Sequence, residues 1–151
     1  MNRLETIAPN LYKMLREVDA AKLQSLKMAA CNYINPVLDQ FPNDIISQAK
    51  AELMERGKLS KTIREELETL AYSFDEQYYP IYEANPGNES AYMPFFTQAR
   101  AINAVSYAGE ADSIESAVEA IYEAAQAVKN RKVFLEYLES LAETTIRHEM
   151  P

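Results

Sequence analysis

The chain has no tryptophan, one cysteine, one histidine and three glycines among its 151 residues. Each scarcity removes a class of chemistry. A lone Cys31 excludes an intramolecular disulfide and any Cys-x-x-Cys metal clip, which fits a reducing, cytoplasmic compartment. Histidine is the commonest general acid or base, and here it occurs only as His148, beside Arg147 and Glu149 near a chain end where solvation is expected. Gly57, Gly87 and Gly109 stand apart from one another, so no glycine-rich loop can cradle a phosphate. Apolar runs are short as well. None approaches the roughly 18 residues that span a bilayer, and Met1 to Asn10 lacks the apolar core of a secretory signal, so no membrane partner is expected.

Positive charge is missing from the middle of the chain. Residues 1–59 carry eight bases and seven acids, residues 129–151 four of each, and residues 60–128 three bases against twelve acids. From Glu65 to Val128 the only base is Arg100. A one-sided field of this kind speeds encounter with basic partners and repels nucleic acid, so direct nucleic-acid binding is not expected. Lys129, Arg131 and Lys132 form a small basic cluster that reads as favourable charge near a helix end. With 48% apolar residues the acidity belongs to the surface of an ordered chain rather than to a disordered tail. At this length one domain covering residues 1–151 is the default, burying roughly 70% of its unfolded surface.

Apolar residues recur at helical spacing almost throughout, which predicts an all-α fold, a single-domain antiparallel helical bundle of six to seven helices. Pro9 opens the first helix (Leu11, Met14, Leu15, Val18). Asp19 caps the second (Leu23, Leu26, Ala30, Ile34), and a short continuation through Val37, Leu38 and Phe41 follows Pro36. Gly57 ends the third (Ile45, Ile46, Ala49, Leu53). The fourth begins at a Thr62–Glu65 capping box or at Ser60, with Pro80 kinking it or starting a new turn. The fifth takes Pro94 in its first turn and stops at Gly109. An Asp112–Glu115 capping box opens the sixth, with Ile114, Ala117, Val118, Ile121, Ala125 and Val128 inward. The seventh turns Val133, Phe134, Tyr137, Leu138 and Leu141 inward.

Projected at about 100° per residue, Ile63, Leu67, Leu70, Ala71, Phe74, Tyr78 and Ile81 share one side of the fourth helix. Glu65, Glu68, Tyr72, Asp75, Glu76, Tyr79 and Glu83 take the other. On the sixth helix Glu115, Glu119, Tyr122 and Glu123 are expected to face outward. Eight aromatic residues fall between Tyr72 and Phe96, and most of them should form an aromatic core. Tyr72, Tyr79 and Tyr122 do not fit that core, because the projection sets them among carboxylates. Tyrosine gives large contact area at low entropic cost, and between carboxylates it suits a partner that presents Lys and Arg.

Enzymatic chemistry finds no motif. The Glu-x-x-His pairs of a di-iron bundle are absent, and Glu65 with Glu68 reads as a solvated face rather than a metal site. Cys31, flanked by Met28, Ala29 and Ala30, reads as a small buried hydrophobe. No catalytic residue, metal or cofactor is expected. Met28-Ala29-Ala30-Cys31 followed by Pro36 and Phe41, and Tyr92 followed by Ala99, Ala101 and Ala104, resembles the YjaG-like family of uncharacterised bacterial helical proteins, although the tryptophans of that family are missing. The resemblance implies an all-α bacterial cytosolic domain and carries over no site residue.

The sequence therefore leads to a non-enzymatic acidic protein that engages and masks a basic protein, as an immunity protein or antagonist does a toxin or nuclease. A DNA-mimic anti-defence inhibitor from a phage or mobile element is an alternative, since a row of carboxylates can imitate phosphates. A structural homodimer joined through the aromatic region is another.

Overall fold

The computed structural model describes residues 2–110 and 113–149, with residues 145–149 described for the backbone alone. The described residues form nine helices and no strand: α1 (Arg3–Ile7), α2 (Pro9–Glu17), α3 (Ala20–Tyr33), α4 (Asn35–Leu38), α5 (Asp44–Arg56), α6 (Lys61–Ala84), α7 (Glu89–Ala108), α8 (Ile114–Ala127) and α9 (Arg131–Glu149). The all-α expectation holds. The helix count exceeds six or seven because Asn2 caps a separate α1 and because Asn35–Leu38 forms its own turn after α3.

Several ends follow from local chemistry. Asp19 accepts a hydrogen bond from Lys22 N at 2.8 Å to open α3, and Gly57 closes α5 in the left-handed region at φ 72°. The Ser60 hydroxyl caps α6 by accepting from Ile63 N. At α8 the cap is Ser113, which accepts from Ser116 N at 3.1 Å; Asp112 lies outside the described residues.

Proline behaves differently from expectation at two places. α6 runs unbroken through Pro80, whose exposed position leaves the Glu76 carbonyl that loses its amide partner on the solvent side. α7 starts at Glu89, so Pro94 sits inside the helix, beyond its first turn. Only one backbone bond, to the Ser90 carbonyl, is lost, close to the helix start.

Packing centres on α8. Nine of its residues are buried, including Ala117, Ala120, Ala124, Ala125 and Ala127, and the small side chains admit α7, α3, α1, α2 and α9 around it. α6 and α7 form an antiparallel hairpin: Tyr82 meets Tyr92 at 5.0 Å between ring centroids, Tyr78 meets Phe96 at 5.5 Å, and Asp75 meets Arg100 at 2.7 Å. Phe74 joins the core beside Phe41 and Phe95. On α9 the buried face is Phe134, Leu135, Leu138 and Ala142, whereas Val133 and Tyr137, expected inward, are exposed at 48% and 42%. Tyr137 lies against Tyr33, 5.6 Å between centroids, at the rim of the α3–α9 contact. Among the described residues no helix is long and apolar enough to cross a membrane.

Candidate functional site: the acidic, tyrosine-bearing face of α6

α6 buries Ile63, Leu67, Ala71 and Phe74 along one stripe, and that stripe fixes what its other side presents. Glu65, Glu68, Tyr72, Glu76, Tyr79 and Glu83 are all exposed, with Tyr72 and Tyr79 showing 65% and 62% of their surfaces. Tyr82 extends the patch at 41%, a residue the projection did not single out. Glu65 has Lys61 at 3.9 Å, and among the described residues no cation lies within 4 Å of Glu68, Glu76 or Glu83. The Tyr72 hydroxyl donates to the Glu76 carboxylate one turn on, and this bond, with the charge of Glu76, pushes the Tyr72 pKa upward. A phenol held to a carboxylate stays a donor at neutral pH. Two of the exposed rings are backed by a third: Tyr79 stands 5.2 Å from Tyr78, and Tyr78 stacks with Tyr82 at 5.7 Å. That backing limits their rotamers before any partner arrives.

Asp75 departs from the expected outward set. It is half-buried, and its Oδ2 accepts a hydrogen bond from Arg100 Nη2 of α7 at 2.7 Å. The other Arg100 nitrogen, Nη1, lies 3.5 Å from Glu123 Oε2 of α8, and the guanidinium stands 5.5 Å from the Phe96 centroid. Arg100 thus ties three helices together. Burial raises the pKa values of Asp75 and Glu123, and the charge of Arg100 opposes that rise at both. Glu123 Oε2 and Arg100 Nε make no hydrogen bond among the described residues.

The expected outward face of α8 is corrected by its surroundings. Glu123 is buried, 4% exposed. Glu119 and Tyr122 are half-buried under α1: Arg3 Nη2 reaches Glu119 Oε2 at 2.6 Å, and the Arg3 guanidinium lies 4.2 Å from the centroid of the Tyr122 ring. Glu115 alone of that set is exposed. The projection assumed one covered side, whereas α8 is enclosed by several helices. The six exposed residues of α6 therefore share one surface, whereas Asp75 and Glu123 meet Arg100, and Glu119 and Tyr122 meet Arg3 of α1. Arg3 and Arg100 are the residues that sequence reasoning missed. Arg100 had a signal, because a lone base among twelve acids is the partner that any buried acid there must find. Arg3 had none, since nothing in its neighbours announces where α1 docks.

Elsewhere the chemistry is quiet. Cys31 is buried, and burial pushes its thiol up to about 12, with the charge of Lys27 opposing the rise. Lys27, itself buried in α3, reaches Ser116 Oγ of α8 at 3.4 Å. Among the described residues no group of three or more His, Cys, Asp or Glu is placed to hold a metal ion. The His148 side chain lies outside the described residues. No protein-family model, curated protein or solved structure matches the chain.

Proposed function

We propose that the chain is a non-enzymatic binding protein whose α6 face docks on a basic protein and masks it, in the manner of an immunity protein or antagonist of a toxin or nuclease. The observation that carries this reading is the pairing of Tyr72 and Tyr79, each mostly exposed, with Glu68, Glu76 and Glu83, which have no cation within reach among the described residues. An unneutralised carboxylate row draws a basic partner in, and the two rings supply the contact area that is desolvated once it arrives. Arg100 is engaged by Asp75 and Glu123 and Arg3 by Glu119, which leaves the exposed acids of α6 available to the partner. An antiparallel helical bundle in the cytoplasm, with its single thiol kept reduced, is the setting in which we place this role.

The test is affinity capture from the native host at low and high salt, followed by association kinetics with the partner so identified. Tyr72→Ala with Tyr79→Ala should weaken binding by about tenfold or more, mostly through faster dissociation. Glu68→Lys with Glu76→Lys should slow association and flatten its salt dependence. Association that is insensitive both to salt and to these four changes would sink the reading. Competition by DNA for the same partner would turn it into DNA mimicry, and a doubled mass in sizing that the tyrosine variant abolishes would assign the face to a homodimer.

A further inference from the structure

The densest run of cations in this acidic chain, Lys129, Arg131 and Lys132, sits at the α8–α9 junction. All three line the mouth of a cleft of about 900 Å³ between the α1–α2 junction, α7 and the start of α9. That size falls at the upper end of the roughly 300–1,000 Å³ of small-molecule sites. Its walls are apolar where Met93 and Phe96 of α7 face Val128 and Leu135. A second cleft of about 830 Å³ shares Met93, Gln126, Val128 and Lys129 and is lined further by Val37 and Pro94.

The cations are weakly engaged by the protein itself. No carboxylate lies within 4 Å of Lys129 among the described residues, Arg131 donates to the uncharged amide oxygen of Gln126 at 3.0 Å, and Lys132 reaches Glu136 only at 4.0 Å with both side chains mostly exposed. Arg131 and Lys132 also occupy the first turn of α9, where the helix dipole disfavours positive charge. The backbone and the side chains therefore present the same sign at one place. Glu136 and Glu139 are the acids on the rim. Burial, then Glu143 and Glu136, raise the Glu139 pKa.

We propose that this cleft binds a small amphipathic anion, an alkyl chain ending in a carboxylate or phosphate. Lys129, Arg131 and Lys132 hold the head, and the chain lies over Met93, Phe96 and Leu135. The site shares no residue with the α6 face, so it stands or falls independently of the masking function.

Calorimetric titration of the full chain with dodecanoate and with dodecyl phosphate, each below its micellar concentration, tests the proposal. Dodecyltrimethylammonium serves as the same chain with opposite charge, and acetate as a head without a chain. At least one of the two anions should bind saturably at one per chain, and the tighter of the two identifies the head. Acetate and the ammonium should give no saturable heat. Lys129→Glu with Lys132→Glu should weaken the anion by about tenfold or more, and since both lysines are exposed, an unchanged circular dichroism spectrum will separate this loss from unfolding. Met93→Gln should weaken both anions alike. The proposal is overturned by the absence of saturable binding of either anion, by equal binding of the ammonium, or by a charge-reversed variant that binds like the wild type.

Discussion

Arg100→Met removes the one cation that serves two buried or half-buried acids, and its cost can be worked from the geometry. Breaking one side of a buried ion pair costs about 3–5 kcal/mol, because the abandoned charge has lost both water and partner. Glu123 meets that condition with 5% of its side chain exposed; Asp75, at 30%, is partly screened by solvent. The lower end of the range, about 3 kcal/mol, is therefore the expected loss at neutral pH. For a domain of this size that lowers Tm by roughly 6–12 °C. The dependence on pH carries the sharper test. Both carboxyls titrate above their ordinary values in the folded protein, with burial the leading cause. The native state thus holds more protons than the unfolded state in that range, so stability is greatest below the ordinary carboxyl pKa and falls as pH rises through the folded value. Removing Arg100 raises the folded values further and steepens the fall. Urea denaturation followed by circular dichroism at about pH 7 and about pH 4.5 should show the wild-type-to-variant gap shrinking at the lower pH. Adding Glu123→Gln to Arg100→Met should recover about half of the loss. A gap that is the same at both pH values, or a double variant whose losses simply add, would refute the idea that Arg100 works by neutralising Glu123.

Two further outcomes follow from local packing. Gly109→Ala should cost about 1–3 kcal/mol in urea denaturation, because a Cβ there would overlap the Leu59 side chain whose backbone N–H also donates to the Gly109 carbonyl at 3.0 Å. Gly87→Ala, where a Cβ meets nothing within 4 Å, should leave stability unchanged within error; equal losses at the two positions would discredit the close approach. Cys31, buried and with its thiol pushed up to about 12, should resist iodoacetamide near pH 8 in native buffer and react fully in denaturant. Rapid labelling of the native chain would mean that the core around α3 opens.

The all-α architecture and several helix ends were legible because the signals are local. Asp19 announces α3, Gly57 ends α5, and the stripe Ile63, Leu67, Ala71 and Phe74 orients α6, so the exposure of Tyr72 and Tyr79 followed from periodicity alone. What periodicity cannot convey is how many neighbours a helix acquires. The carboxylates of α8 stand opposite its apolar stripe, as those of α6 do, yet its alanines let other helices close in and bury Glu123. Pro94 misled for a related reason: a proline marks the start of a helix only when nothing before it can extend the helix, and Glu89 to Met93 do so here. α1 was invisible because its few residues carry too little periodicity, and its position depends on Leu4 entering a core assembled by distant segments.

That difference between the two acidic helices yields a comparison in which each protein serves as the other's control. Tyr122 lies under the Arg3 guanidinium at 4.2 Å beside an ion pair of 2.6 Å, so Tyr122→Ala removes a cation–π contact and packing against the core. Its expected effect is a stability loss of about 1–2 kcal/mol with no change in the rate of association with a basic partner. Tyr72 exposes 65% of its surface, so Tyr72→Ala should leave thermal stability alone and act only on binding. If Tyr122→Ala instead slows association while the fold is untouched, α1 must release α8 in solution and the acidic surface would extend beyond α6. If Tyr72→Ala lowers Tm, the ring serves the fold and the α6 face loses its claim as an interface. The two substitutions remove the same side chain from acidic surroundings, so any divergence between them reports the number of helices packed around each, which is the one quantity that sequence periodicity does not contain.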